Sequence, residues 1–175
     1  MDESLAALID KLAITEALYR YCHGVDRCDL AMLKSAFWED GAVDYGTLGG
    51  PSHEFCDTLV PALLGLKATM HNVSNILITL DGDKARAMSN CVAYHQTDGE
   101  AGPVELIAGG RYLDDLEKRG GQWRIFRRLY VLDWSRTGPS SHGYEGLFAQ
   151  LTNHGARYPD DPCYRGDGIA PGTPS

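Results

Sequence analysis

Three side chains that could move a proton lie in two parts of the sequence. Asp26 follows the first apolar-periodic segment, Tyr21 stands five residues before it, and His71 begins a β-branched run. An imidazole with a pKa near ~6.5 is a competent base, a buried carboxylate can fix its tautomer, and a phenol can stabilise or protonate a substrate oxygen. This chemistry requires no cofactor. The sequence alone does not bring the three together, because an Asp between helices is commonly a cap and a single strand His is commonly a core or surface residue.

Five aromatic side chains are candidates for the walls of an apolar pocket. They are Trp38, Tyr45, Tyr94, Tyr112 and Trp134. Together they favour a cavity for a flat, apolar ligand, although core packing is the commoner role for each of them. Metal catalysis is not expected, because the histidines and carboxylates show no H-x-x-x-H or similar ligand spacing. Gly109-Gly110 lies inside a predicted strand, which indicates a bulge or a close backbone approach and not a phosphate loop.

The composition favours one cytoplasmic domain. At 175 residues and 43% hydrophobic, the chain can bury one core and is short for two.

Its net charge of −8 would repel phosphate backbones and anionic membranes, so neither nucleic acid nor a membrane is an expected partner. No run approaches the ~20 apolar residues of a membrane span, and the start MDESLAALIDK lacks the features of a signal peptide. The five cysteines contain no C-x-x-C pair and are expected to be reduced and mainly structural.

Apolar periodicity predicts three helices in the first part of the chain. The first carries a stripe with helical spacing, made of Leu5, Leu8, Ile9 and Leu12. We expect this stripe to face the core and the helix to reach about Cys22 and stop near Gly24. Asp29 is a candidate N-cap for a short second helix in LAMLKSAF. After a short strand in AVDYG, Pro51 can begin a third helix that ends near Gly65.

Alternating, β-branched segments predict four long antiparallel strands in the second part of the chain. The segments are NVSNILITL, KARAMSNCVAYHQT, PVELIAGGRYLDDLEK and QWRIFRRLYVLDWS. The turn sequences DGD and Arg119-Gly120-Gly121 between them indicate hairpins. Helices followed by such a meander define an α+β fold. Beyond Arg136 the chain becomes rich in proline and glycine, so we expect it to lie over the domain or a neighbouring subunit, or to be disordered in its last ten residues.

The order of these elements resembles the SnoaL-like branch of the nuclear-transport-factor-2-like superfamily, over roughly residues 5–136. The segment ALYRYCHGVDRCDLAMLKSAFWEDGAV looks like the opening of hexachlorocyclohexane dehydrochlorinase, scytalone dehydratase and bile acid 7α-dehydratase, and HNVSNILI looks like their histidine strand. The resemblance implies a cone-shaped α+β barrel, with three N-terminal helices packed in a curved, mostly antiparallel sheet. Residues 1–136 would form this domain, and residues 137–175 would be a C-terminal extension.

The resemblance also implies roles for individual residues. In these lyases an Asp hydrogen-bonds to a catalytic His inside a closed pocket, and Asp26 and His71 occupy the matching positions. Tyr21 matches the tyrosine that binds substrate oxygen in the dehydratases, which favours an oxygenated substrate. His95 falls, more loosely, where scytalone dehydratase has a second pocket histidine.

One departure concerns a cation in the last strand. The bile acid dehydratase pattern has an Arg shortly after a Tyr-Val step, whereas Tyr130-Val131 is followed here by Leu-Asp-Trp. Arg128 and Arg136 flank this gap, and Arg128 is the candidate for substrate binding. An Arg on a sheet surface is, however, more often solvated or paired.

The function implied by the resemblance is that of a cofactor-independent lyase acting on a hydroxylated aromatic or polycyclic small molecule. An isomerase or polyketide cyclase with the same dyad, or a protein that only binds a small ligand, are the alternatives, since fold alone does not assign function. The resemblance further implies a homo-oligomer, a trimer or alternatively a dimer, formed through the outer face of the sheet. Its apolar and aromatic residues would come from PVELIAGGRYL and QWRIFRRLYVLDW.

Overall fold

The computed structural model describes residues 3–165. The prediction of disorder in the last ten residues concerns residues 166–175, which lie outside this range. The elements in chain order are α1 (Glu3–Arg27), α2 (Leu30–Ser35), β1 (Phe37–Asp44), β2 (Gly49–Pro51), α3 (Ser52–Leu64), β3 (Ala68–Asp81), β4 (Lys84–Gly99), β5 (Gly102–Arg119), β6 (Gln122–Pro139) and two 3-10 helices at Gly146–Gln150 and Pro162–Tyr164. Among these helices, none has the length and apolar character needed to cross a membrane.

The six strands form one curved sheet in the order β2-β1-β6-β5-β4-β3. Neighbouring strands run antiparallel, apart from β1 and β6, which are parallel. The three helices pack against this sheet, which confirms the predicted α+β class and cone-like arrangement. The sheet remains open, with β2 and β3 at its edges, so the cone is not a closed barrel.

The inner face of β4 explains how the sheet makes room for the helices. Its buried residues alternate with exposed ones, as expected for a strand with one face on the core. From Ala85 to Ala93 the inward side chains are all small, namely Ala85, Ala87, Ser89, Cys91 and Ala93. Larger side chains from α1 and from the neighbouring strands therefore fill the space in front of this strand.

The predicted core stripe of α1 is wrong. Leu5, Leu8, Ile9 and Leu12 are between 47% and 59% exposed. The buried stripe lies in the second half of the helix, on the opposite side, and consists of Ile14, Ala17, Leu18, Tyr21 and Val25. Helical spacing shows which residues share a face, but it does not show which face the sheet and α2 will cover.

The end of α1 also differs from the prediction. The helix continues through Gly24 to Arg27, because Gly24 is a contact residue and not a stop signal. A side chain at this position would meet the backbone of Leu33 in α2 at 2.6 Å. The turn is made at Cys28, whose φ of 52° is left-handed, and Asp29 then caps α2 by accepting from the backbone N–H of Met32 at 2.9 Å. The predicted N-cap is therefore confirmed.

Residues 155–165, here named the C-terminal brace, return to this turn after β6. The backbone N–H of Tyr158 donates to the carbonyl of Arg27 at 2.6 Å, and the Arg27 guanidinium pairs with Asp161 at 2.8 Å. The hydroxyl of Tyr164 donates to the Asp29 carboxylate at 3.0 Å. The brace therefore lies on its own domain, against the junction of α1 and α2.

Candidate active site

Asp26 and His71 are in direct contact at the point where the end of α1 meets the start of β3. One carboxylate oxygen of Asp26 lies 2.7 Å from the imidazole Nδ1 of His71, and the other accepts from the backbone N–H of His71 at 2.7 Å. Their side chains are only 11% and 8% exposed, respectively. Both oxygens of the carboxylate are thus directed at one residue, which fixes the position of the ring and of its strand.

The charge on Asp26 decides the tautomer of His71. Burial alone would raise the pKa of Asp26, but its hydrogen bonds and charge interaction with His71 hold that pKa below its ordinary value. An ionised carboxylate can only accept, so the hydrogen lies on Nδ1 of His71 and the lone pair of the neutral ring lies on Nε2. The ring can therefore act as a base through Nε2.

His95 lies beside the dyad, on the neighbouring strand. Its ring centroid is 5.2 Å from that of His71, with the two planes at 84°. Burial, followed by the charge of His71, lowers the pKa of His95 from its ordinary value. The neutral form of His95 is therefore favoured, and the looser sequence match does place a second histidine near the first.

Tyr21 and Tyr45 form a pair of phenols on the same inner side of the sheet. Their hydroxyl oxygens are 2.7 Å apart, and Tyr21 packs edge-on against the rings of Phe37 and Tyr112. Burial, together with the neighbouring Tyr45, raises the pKa of Tyr21 well above its ordinary value. The Tyr21 hydroxyl therefore keeps its proton and can donate it in a hydrogen bond.

Two further tyrosines extend this pair into a cluster, here named the tyrosine cluster, of Tyr21, Tyr45, Tyr112 and Tyr130. Tyr130 stacks on Tyr45 with ring centroids 5.1 Å apart, a contact that the sequence pattern does not indicate. Tyr112 accepts from the thiol of Cys91 at 3.2 Å, and Cys91 is two residues along β4 from Ala93, the strand partner of His71. The tyrosine cluster and the dyad therefore occupy neighbouring parts of one inner surface.

Arg128 lies beneath the tyrosine cluster and is completely buried. Its Nε and Nη2 donate to the two carboxylate oxygens of Asp114 at 2.7 and 2.8 Å, and both side chains are 0% exposed. The guanidinium carbon is 4.1 Å from the ring centre of Tyr21 and 3.9 Å from that of Tyr112. Arg128 is thus a paired residue, as expected, but it lies on the inner and not the outer surface of the sheet, because its register opposite Asp114 turns it inward. Arg136 is largely exposed and pairs with Glu105 at 2.7 Å.

Trp38, Tyr94 and Trp134, three of the five predicted pocket aromatics, do not lie on the inner surface beside the dyad. The indole of Trp38 donates to the carbonyl of Glu117 at 2.9 Å, and the guanidinium carbons of Arg119 and Arg124 are each 4.9 Å from the centre of its ring. Glu117 is near the end of β5, whereas the β5 partner of His95 is near its start. Trp38 therefore lies at the other end of the sheet, held there by cationic partners that its aromatic character alone did not reveal.

Tyr94 and Trp134 lie on the outer face of the sheet. Tyr94 directly precedes the inward-facing His95, so strand alternation turns it outward, where its hydroxyl is 3.3 Å from that of Ser140. Trp134 is 51% exposed and covers Gly109, where a side chain would collide with the indole at 2.1 Å. The ladder also shifts register between Gly109 and Gly110. The predicted bulge and close approach at these glycines are therefore both confirmed.

A groove of about 800 Å³ lies on the outer face and contains neither dyad residue. Four apolar side chains paired across the strands, Leu77, Met88, Leu113 and Leu129, line it. The dyad, and not this groove, is the candidate active site, because proton transfer needs contacts of the kind found between Asp26 and His71 and not a large volume. Within residues 3–165, no three His, Cys, Asp or Glu side chains are grouped as metal ligands would be.

Comparison with known proteins agrees with this fold. The family model for the SnoaL-like domain matches residues 6–129, and the chain belongs to this family, as the sequence resemblance predicted. The matched segment contains Asp26, His71, Tyr21 and His95, but not the C-terminal brace.

One sequence relative and two solved structures are similar to this chain. The terrestric acid biosynthesis cluster protein E of Penicillium crustosum is 30% identical over 139 residues, which cover 74% of this chain and 87% of that protein. A scytalone dehydratase candidate from Novosphingobium aromaticivorans has a TM-score of 0.69 at 23% identity, with 80% and 99% of the two chains covered. A hexachlorocyclohexane dehydrochlorinase from Novosphingobium barchaimii has a TM-score of 0.72 at 18% identity, with 82% and 100% covered. The two structures establish the shared fold.

Proposed function

We propose that this protein is a cofactor-independent lyase that eliminates water from, or cleaves an adjacent C–C bond in, a hydroxylated aromatic or polycyclic small molecule. The observation that carries the proposal is the contact of both Asp26 oxygens with His71, which leaves Nε2 of the ring as the basic atom. Solved structures with the same fold include proteins named for dehydration and for dehydrochlorination, and both reactions are eliminations.

The proposed elimination uses a single proton relay. Nε2 of His71 removes a proton from a carbon next to the one that bears the hydroxyl, and Asp26 stabilises the imidazolium that forms. The C–O bond then breaks, and the imidazolium returns the proton to the departing oxygen, so that the products are an alkene and water and His71 is again neutral. Positioned acid–base groups of this kind typically contribute ~10²–10⁴-fold to the rate.

Tyr21 is proposed to bind an oxygen of the substrate. Its raised pKa makes it a hydrogen-bond donor and not a phenolate, and Tyr45 provides the alternative acceptor when no substrate is present. A donor aimed at an oxygen on which charge develops stabilises the transition state more than the ground state. This role favours an oxygenated substrate, with Tyr45, Tyr112 and His95 as neighbouring groups that shape its site.

Mass spectrometry of the products tests the proposal. The intact protein is incubated with a panel of hydroxylated aromatic and polycyclic compounds, beside His71→Ala and Asp26→Asn. Matched controls are His23→Ala and Asp98→Asn, which remove the same groups at exposed positions. We expect a product lighter by water, or by a small carbon fragment, that is lost in both dyad variants and kept in both controls.

The other outcomes separate the alternatives. A product of unchanged mass that depends on the dyad would indicate an isomerase or cyclase. Binding of a compound without turnover would indicate a ligand-binding protein. Turnover that survives both dyad substitutions would contradict the assignment of the site.

We also propose that the protein forms a homo-oligomer, a trimer or alternatively a dimer, through the outer face of the sheet. The row Leu77, Met88, Leu113 and Leu129 exposes apolar surface there, and the half-exposed Trp134 adds to the same face. Light scattering at micromolar concentration should give a multiple of the 19.1 kDa chain mass, and Leu77→Glu should reduce it. A monomeric mass for the unsubstituted protein would contradict this proposal.

A further inference from the structure

Arg157, in the C-terminal brace, contacts both of the elements that carry the dyad. Its Nη1 donates to the backbone carbonyl of Asp26, and the same Nη1 donates to the hydroxyl of Thr69 at 2.7 Å. Its Nη2 donates to the carbonyl of Leu66 at 3.4 Å. One guanidinium therefore joins the last turn of α1 to the start of β3.

These acceptors stand directly behind the two reacting side chains. The carbonyl of Asp26 belongs to the residue whose carboxylate binds His71, and Thr69 precedes His71 by two residues on β3. The carbonyls of the last helical turn have no partners within the helix, and a cation is well suited to bind them. The guanidinium can bind several such acceptors at once because its donors have a fixed planar geometry.

We propose that Arg157 is a positioning residue that sets the distance and orientation between Asp26 and His71. It does not touch the reacting atoms and acts through the backbone on which the dyad is mounted. The catalytic consequence rests on the proposed function, whereas the geometric consequence does not. Because the family match ends at residue 129, this control of the dyad would come from outside the shared domain.

The brace itself is fixed to the residues that follow Asp26. Asp161 accepts from the Arg27 guanidinium at 2.8 Å and from the backbone N–H groups of Ala156 and Cys163 at 2.7 and 3.0 Å. Tyr164 binds the carboxylate of Asp29, the N-cap of α2. The turn between α1 and α2 therefore holds the brace in place, and the brace in turn places Arg157 against Asp26.

Nuclear magnetic resonance of the full-length protein, labelled with ¹⁵N at histidine, tests the proposal without a substrate. The Nδ1–H of His71, assigned by its loss in His71→Ala, should be a downfield proton that exchanges slowly with water. A hydrogen bond to a charged group is worth ~1.5–3 kcal/mol, so we expect Arg157→Ala to accelerate this exchange ~10–100-fold. Arg165→Ala, which removes an exposed guanidinium from the same brace, should leave the exchange unchanged.

Chemical rescue distinguishes positioning from general loosening of the fold. Guanidinium ion at millimolar concentration should restore slow exchange in Arg157→Ala, whereas tetramethylammonium, a cation without N–H donors, should not. Arg157→Lys and Thr69→Val, which keep most of the local packing, should show intermediate exchange and are used if Arg157→Ala does not fold. With a substrate from the product screen, Arg157→Ala should lower kcat with little change in KM.

The outcomes separate this proposal from that of the function. Unchanged Nδ1–H exchange in Arg157→Ala, or in both Arg157→Lys and Thr69→Val if Arg157→Ala is unfolded, would overturn the positioning role even if the protein is a lyase. A lost and rescued signal in a protein without any elimination activity would support the positioning role and contradict the proposed function.

Discussion

Two acid–cation pairs lie on the inner surface of the same sheet, and they differ in the cation. Asp26 pairs with an imidazole at the C-terminal end of α1, with both side chains about a tenth exposed. Asp114 pairs with a guanidinium in the middle of β5 and β6, with both side chains fully buried. Their geometry is similar, since each carboxylate uses both oxygens on one partner residue.

The difference shows which pair can take part in chemistry. An imidazole gains and loses a proton near neutral pH, so the Asp26–His71 pair can cycle between charged and uncharged partners. A guanidinium keeps its charge in proteins, so the Asp114–Arg128 pair is a permanent ion pair on which Tyr21 and Tyr112 pack. We therefore expect loss of the first pair to affect activity and loss of the second to affect the fold.

The largest expected effect is on stability, at the fully buried pair. Asp114→Asn leaves the Arg128 charge buried without its counter-ion, which typically costs about 3–5 kcal/mol. Urea unfolding should show this loss, and the double variant Asp114→Leu, Arg128→Met should recover much of it because neither charge remains. A loss below that of an ordinary surface substitution would show that the pair is not structural.

For the Asp26–His71 dyad we expect the opposite pattern, a large loss of activity and a smaller loss of stability. Asp26→Asn removes the charge that holds the His71 tautomer, so kcat/KM for the identified substrate should fall by ~10²–10⁴-fold. Its cost in urea unfolding should remain below that of Asp114→Asn, because the partner imidazole can become neutral while a guanidinium cannot. If Asp26→Asn were the more destabilising of the two, the contrast between the pairs would be wrong.

A smaller effect is expected at the hydrogen-bonded pair Tyr21 and Tyr45, which lies on the same inner surface as the two acid–cation pairs. Tyr21→Phe and Tyr45→Phe each remove the same hydroxyl–hydroxyl bond, so each should cost about 1 kcal/mol of stability. Activity should fall more in Tyr21→Phe, because Tyr21 is the proposed donor to the substrate. Equal losses of kcat/KM in the two variants would remove this special role for Tyr21.

The smallest expected effect concerns pH. Folding lowers the pKa of His95 from its ordinary value of 6.5. At a pH between the folded-state pKa and 6.5, the unfolded chain therefore binds more protons than the native protein. Stability should therefore decrease as pH falls from about 6.5, by at most ~1.4 kcal/mol per pH unit and by less because the ring is partly exposed. His95→Gln should flatten this part of the curve of unfolding free energy against pH, whereas His23→Ala, at an exposed position, should not.

Most of the fold could be predicted from local patterns. Strand alternation and turn residues identified the meander, and Asp29 was identified as an N-cap because its side chain acts on a neighbour three residues away. The face of α1 could not be predicted in this way. Leu5 and Leu8 have the spacing of a core stripe, but a more distant part of the chain determines which side is covered.

The site shows the same limit. Asp26 and His71 were paired through the resemblance, since their separation of 45 residues carries no geometric information. Trp38 was placed in the pocket from its aromatic character, whereas its position depends on arginines of other strands. Arg157 had no signal in the sequence, because its partners are backbone carbonyls and a hydroxyl far away along the chain.

The contact between Arg157 and Asp26 also has a consequence for the order in which the protein is made. The two residues are 131 positions apart. At about 5–20 residues per second, a ribosome adds Arg157 roughly 7–26 s after Asp26. Asp26 and His71 are therefore both synthesised before the side chain that is proposed to position them, and the proposed positioning contact can form only after residue 157 has been added.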